Sequence, residues 1–379
     1  MTDLYRLNNT IRYYEWGSAK ILPQFLNMEN TEGLPFAEMW MGTHKGGSSQ
    51  INAGGKLVDL SEISGDLPFL FKMLAVEKPL SIQAHPNREQ AEEGFKKEEK
   101  SALSIKAPKR NYKDKNHKPE ILCALTPFTM MAGFRELEKI QKSMEAVLTA
   151  APHLKDIVTP LIKALASGQL SGFFRALFNF SEYEMEYLSS FINGGLSSFP
   201  GGVIKDEQWK LMKSFCALYP QDPAILSPLY LNYIELQPGQ AVYIPAGILH
   251  AYISGFGVEL MSNSDNVLRG GLTPKYVDIG ELLNILHFVP FIPQIIKPSA
   301  SVTWYNYHTL CDEFQLACMR GNGDDLFSGD TPAICIVTEG ALKAGNSTFK
   351  KGESFFIPKG AQELCFSGNY ELFAAFTPV

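Results

Sequence analysis

The chain reads as a mainly β protein with a helical insertion: two related β-barrels, or jelly rolls, in one polypeptide, plus an α-helical domain. Three observations carry that expectation. Short apolar or alternating runs broken by Gly, Asn and Pro fill residues 1 to 128 and return after about Leu231. Apolar residues take a three-to-four spacing between Glu136 and Pro220. One strand-and-turn pattern occurs twice in the later part of the chain.

Phe69 to Ala75 reads as one buried strand, and Leu80 to His85 as a second whose alternation puts Ser81, Gln83 and His85 on one face before Pro86 ends it. Leu137, Ile140, Met144, Val147 and Leu148 keep helical spacing, and Ser181 to Glu184 has the form of a capping box ahead of Leu188 and Phe191. Pro220, Pro223 and Pro228 punctuate the return to strands, beginning with Leu231 to Leu236. Asp278 to Glu281 starts a short helix through about His287, Pro290 to Pro298 reads as a connector, and the remainder from about Val302 is strand-like. Gly239 to Gly247 (GQAVYIPAG) aligns without gaps on Gly352 to Gly360 (GESFFIPKG), and Ser254 and Gly255 then match Ser367 and Gly368. The predicted organisation is a discontinuous domain of residues 1–135 and 221–290, a helical insertion at 136–220, and a degenerate second copy at 291–379.

At 379 residues and 45% hydrophobic, the chain can bury a substantial core. Its net charge of -6 and its lack of a long Lys/Arg run argue against a nucleic-acid or anionic-membrane partner. Cys123, Cys216, Cys311, Cys318, Cys335 and Cys365 are scattered without paired spacing, which predicts reduced thiols and a cytoplasmic location. No leader or membrane-span pattern stands out, so a soluble, unprocessed protein is expected. The oligomeric state stays open, a monomer being compatible with the sequence.

Metal-ligand chemistry concentrates in three segments. His250 follows the Ile244 to Gly247 turn where a strand begins, and its counterpart in the second copy is Glu363. Gln83 and His85 lie two apart, as do Lys118 and Glu120 across Pro119. In strand phase, Gln83, His85, Glu120 and His250 supply four ligands for one divalent cation. His44, His117, His153, His287 and His308 are left as non-ligands, His117 because alternation points it away from Lys118 and Glu120.

The segments Ala37 to Gly42 (AEMWMG), Pro79 to Pro86 (PLSIQAHP), Asn116 to Glu120 (NHKPE), Leu125 to Phe128 (LTPF), Pro245 to Tyr252 (PAGILHAY) and Ser264 to Lys275 (SDNVLRGGLTPK) run in order along the chain. Together they resemble the successive signatures of type I mannose-6-phosphate isomerases, a family with cupin-like barrels. The resemblance implies one zinc per chain on Gln83, His85, Glu120 and His250. It implies an active-site role for Arg269, with Lys118 and Glu259 in the same site, and a small sugar phosphate as substrate.

Moving a carbonyl between C1 and C2 of an open-chain sugar requires a base beside the carbonyl and stabilisation of an enediol bearing developing negative charge. Glu259 is the candidate base, a water on the metal being the competing candidate; its repeat counterpart is Leu372. Arg269 and Lys118 would neutralise the enediolate or hold the phosphate, with Lys275 or Ser81 assisting at the phosphate. Two rival readings are a cupin oxygenase, disfavoured by Gln83 at a ligand position, and a non-catalytic sugar-binding cupin, disfavoured by Lys118, Glu259 and Arg269 occurring together.

Overall fold

The computed structural model describes residues 4–101, 103–298, 303–329 and 331–378. Among them the strands form an eleven-stranded sheet, an eight-stranded sheet and a two-stranded ribbon. Strand Phe69–Val76 lies inside the larger sheet, paired with Phe36–Gly42 on one side and His250–Ser262 on the other. Alternation sends Phe69, Phe71, Met73 and Ala75 to one face and Leu70, Leu74 and Val76 to the other. Because both faces are covered, the segment reads as an apolar run, broken only by Lys72 on the Leu70 and Leu74 side.

The Phe71 face packs on the smaller sheet, where Phe314, Leu316, Ile334, Ile336, Phe356 and Phe373 complete a shared core. The far side of the smaller sheet closes over Cys335, Val337, Phe355, Phe366 and Leu372. Opposite the Phe71 face, Leu74, Leu122, Met130, Ala132, Val242 and Tyr252 enclose a second interior. The helices from Leu137–Ala150 to Asp206–Leu218 cover the outer side of that interior, burying Phe173, Phe174 and Trp209 with Met131, Ala251 and Ile253.

One strand joins the two leaves of the larger sheet. The first residues of His250–Ser262 pair with Phe128–Phe134 and the later ones with Phe69–Val76 and Glu120–Ala124. A register slip between Tyr252 and Ser254 marks the bend, with Gly255 at φ 131°. The slip changes the parity of the strand. His250 and Tyr252 face the same interior as Glu259, which strict alternation would put on the opposite side. The repeated segment has the same backbone signature: Gly239, Gly247 and Gly255 at φ 83°, 75° and 131° match Gly352, Gly360 and Gly368 at 86°, 74° and 125°. The side chain of Glu363, aligned with His250, lies outside the described residues.

The expected strands Phe69 to Ala75 and Leu231 to Leu236 form, and Ser181 caps Glu182–Asn193 through the Glu184 amide as the capping box predicts. Three local readings need correction. The strand expected at Leu80 to His85 keeps ladder pairing only at Gln83–Ala84. Within the first 128 residues, read mainly as strands and turns, Arg88–Lys100 is a helix, capped by reciprocal bonds between Asn87 and Gln90. Its charged sequence hides it, since only Ala91 and Gly94 are buried. The Pro-rich connector also carries a strand, Ile295–Ile296, paired with Ala241 and Val242. At the other end of the chain, Tyr5–Arg6 pairs with Phe355 and Phe356 of the smaller sheet. Among the described residues no helix is long and apolar enough to cross a membrane.

Phe373 is fully buried between the sheets and stacks on Tyr307 at 6.1 Å. Phe373→Ala should destabilise the protein by about 3–5 kcal/mol, read as a lower thermal midpoint. A midpoint equal to that of the parent would show that the two sheets do not share a core.

Candidate active site and metal centre

Glu120 opens the strand Glu120–Ala124 on the enclosed face, two residues before Leu122. His250 opens the bent strand directly after the Pro245 to Leu249 turn. Gly247 in that turn adopts φ 75°, and a Cβ there would meet the His287 ring at 2.9 Å, so glycine is required. The Gly247 amide donates to the His85 carbonyl at 2.8 Å, tying the two ligand-bearing segments together. Gln83 pairs with His250 on one side and Arg269 on the other.

These connections bring three ligand-type side chains to one buried point. His85 Nε2 is 3.3 Å from Glu120 Oε1, and His250 Nε2 is 3.2 Å from Glu120 Oε2. The ligand atoms of His85, Glu120 and His250 all lie within 4.8 Å of one another. Each imidazole is turned by its other nitrogen: Nδ1 of His85 donates to the Asn266 carbonyl at 2.7 Å, and Nδ1 of His250 to the Ile248 carbonyl at 3.0 Å. Burial first, and then the Lys118 ammonium, push the pKa of His85 down to about 4. Its single N–H at neutral pH is therefore committed at Nδ1. Its Nε2 is buried and without a hydrogen bond, so its approach to Glu120 is a contact between two acceptors.

That donor set fits a divalent cation: two imidazole nitrogens and a carboxylate, with the Gln83 amide beside them. Gln83 Nε2 is 3.4 Å from His250 Nε2, and a half-turn of the amide brings its carbonyl oxygen to the same point. Lys118 Nζ stands 2.9 Å from Glu120 Oε1. Burial favours the neutral acid at Glu120, but Lys118 and His85 outweigh it and hold the carboxyl well below its usual range.

Glu259 lies deeper in the same interior. Its Oε2 accepts from Lys72 Nζ at 3.0 Å, and Glu38 lies 3.9 Å from the same ammonium. Trp40 Nε1 donates to Glu38. Burial raises the Glu259 pKa, with Lys72 opposing. The Tyr252 hydroxyl stands between the carboxylates, donating to Glu120 Oε2 at 3.5 Å and facing Glu259.

Arg269 is half-buried beside Gln83, and burial alone lowers its pKa, with no carboxylate offsetting the loss of water. Lys275 is exposed, and its pKa is lowered by residual burial and by Arg269 and Lys113. The three cations thus form a patch near the ligand group. Ser81 is half-buried two residues before Gln83. His117 points away from the ligand group, its Nε2 donating to Glu313 at 2.7 Å, although it lies outside any strand.

The sequence reading omitted Lys72, Glu38, Tyr252, Lys113 and Asn266. Lys72 left a signal, as the one charge in an apolar strand. Asn266 left less: its side chain accepts from the Lys113 and Asp114 amides and donates to the Asn116 carbonyl, all distant in sequence.

Residues 4–137 match the family model of the phosphomannose isomerase type I catalytic domain. Mannose-6-phosphate isomerase of Salmonella typhimurium is 38% identical, over 97% of this chain and 98% of its own length. The Escherichia coli protein of that name is 34% identical over the same shares. A crystal structure of a point mutant of the Salmonella typhimurium phosphomannose isomerase superposes with a TM-score of 0.91 at 32% identity, covering 99% of this chain and 100% of that one. A mannose 6-phosphate isomerase structure described as holo and zinc bound gives 0.89 at 33% identity, with the same coverage. Likeness over nearly the whole length, on a fold that gathers His85, Glu120 and His250, establishes that the chain belongs to the type I mannose-6-phosphate isomerase family.

Proposed function

We propose that the protein is a zinc-dependent aldose-ketose isomerase that interconverts D-mannose 6-phosphate and D-fructose 6-phosphate through a cis-enediol. The observation that carries this reading is the buried group of acceptors formed by His85, Glu120 and His250, with unpaired cationic side chains at its edge. Zinc, when bound there by these three residues and Gln83, supplies a Lewis acid next to the reacting carbonyl.

The chain's own residues supply the rest. Glu259 takes the proton from C2 of the open-chain sugar and returns it at C1, while the hydroxyl proton of O2 passes to O1 in the cis-enediol. Burial raises its basicity, while Lys72 keeps it ionised between transfers. Lys118 donates to the oxygen on which charge develops. Arg269 presents two parallel donors to the enediolate or phosphate, and Lys275, Lys113 and Ser81 surround the phosphate.

We also read the two sheets as two related cupin-like barrels, residues 1–135 with 221–290 and residues 291–379, with 136–220 inserted and with Tyr5–Arg6 and Ile295–Ile296 each pairing across to the other barrel's sheet. The matched glycine torsions support that reading. Six free cysteines suit the reducing cytoplasm.

Three outcomes follow. Elemental analysis should find one zinc per chain, lost in His250→Ala, and chelation should abolish an isomerase activity that added zinc restores; a second tight metal surviving in His250→Ala would contradict the assignment. Glu259→Gln should keep zinc and slow isomerisation by about 10²- to 10⁴-fold. Exchange of the C2 hydrogen with deuterated solvent at the parent rate would show that Glu259 is not the base. Arg269→Lys should keep zinc and fold yet lower kcat roughly ten-fold or more, equivalent to about 1.4 kcal/mol; a change in KM alone would reassign Arg269 to ground-state phosphate binding.

A further inference from the structure

Residues 113–119 have no regular structure, yet they deliver Lys118 and lead into Glu120. Their anchors come mostly from the end of the bent strand and the turn after it. Asn266 holds the amides of Lys113 and Asp114 and the Asn116 carbonyl, the Ser264 hydroxyl donates to Asp114, and the Ser262 amide donates to the Pro119 carbonyl.

One anchor comes from the other half of the chain. His117 Nε2 donates to Glu313 Oε1 at 2.7 Å, and Arg88 donates to the same oxygen. Glu313 sits between the strands Trp304–Tyr307 and Gln315–Gly321, next to fully buried Phe314, so the smaller sheet fixes its position. What the carboxylate adds is a charge-assisted bond to His117 and Arg88 at once. His117 and Glu313 border a cavity of about 760 Å³, and the Arg88 guanidinium, 3.3 Å from His117 Nε2, also stands beside the imidazole.

We infer that Glu313 is a positioning residue: through His117 it fixes the backbone that carries Lys118, so the half of the chain without metal ligands sets the geometry of the active site. The inference rests on the isomerase reading for its kinetic consequence only. A misplacement of about 1 Å can cost up to about 10²-fold in rate.

In the full-length, zinc-loaded enzyme, Glu313→Ala should lower kcat about ten-fold or more, with KM and zinc content unchanged. Glu313→Gln, which keeps an acceptor for His117, should recover most of that loss. Amide hydrogen exchange over residues 113–119 should quicken in Glu313→Ala and stay at the parent rate in the strands Phe69–Val76 and Glu120–Ala124, whether or not the parent shows isomerase activity, which separates this inference from the functional one. If Glu313→Ala does not fold, His117→Ala removes the other half of the contact and carries the same exchange expectation. Parent-like exchange over 113–119 in either folded variant, or a loss of kcat that tracks zinc loss, would overturn the inference.

Discussion

Two imidazoles and a carboxylate, all but inaccessible to water, face one another with their lone pairs inward, and much of the larger sheet is arranged around that convergence. In the absence of a cation such a cluster is unfavourable, because desolvated acceptors gain nothing from each other's company. Lys118 answers part of the imbalance at Glu120, and Lys72 does the same for Glu259 deeper in the interior. The remaining deficit lies at the imidazole nitrogens, where a divalent ion satisfies it directly. Backbone carbonyls at Asn266 and Ile248 make the arrangement rigid by fixing which ring nitrogen is free.

That rigidity depends on the bent strand. His250, Tyr252 and Glu259 share an interior because a slip after Tyr252 resets the alternation, and the same strand pairs with Glu120–Ala124 and Phe69–Val76. A straight thirteen-residue strand would place His250 and Glu259 on opposite faces. The bend therefore positions the proposed proton acceptor and the metal ligands together, while Phe256, Val258 and Leu260 remain free to pack on the smaller sheet.

Much of this was legible in the residues. Buried strands announced themselves as apolar runs, the helical block by its spacing and capping box, and the ligand segments by the two-residue spacing of Gln83 with His85 and Lys118 with Glu120 only once the family resemblance was set beside it. What could not be read was anything set by long-range register. Lys72 meets Glu259 only because two strands pair in one particular alignment, and Asn266 serves residues far earlier in the chain. The helix Arg88–Lys100 escaped for a local reason: it buries so little that its sequence has almost no apolar stripe.

The short pairing of Tyr5–Arg6 with Phe355 and Phe356 has a kinetic side. The earlier segment cannot be held in place until the much later strand Ser354–Ile357 has been made. Until the two meet, the outer margin of Ser354–Ile357 is open to pairing with another chain. So large a sequence separation raises contact order, and the closing of that margin belongs among the slow, late events of folding. The larger sheet brings its ligand segments together without that pairing, since they lie between Gln83 and Arg269.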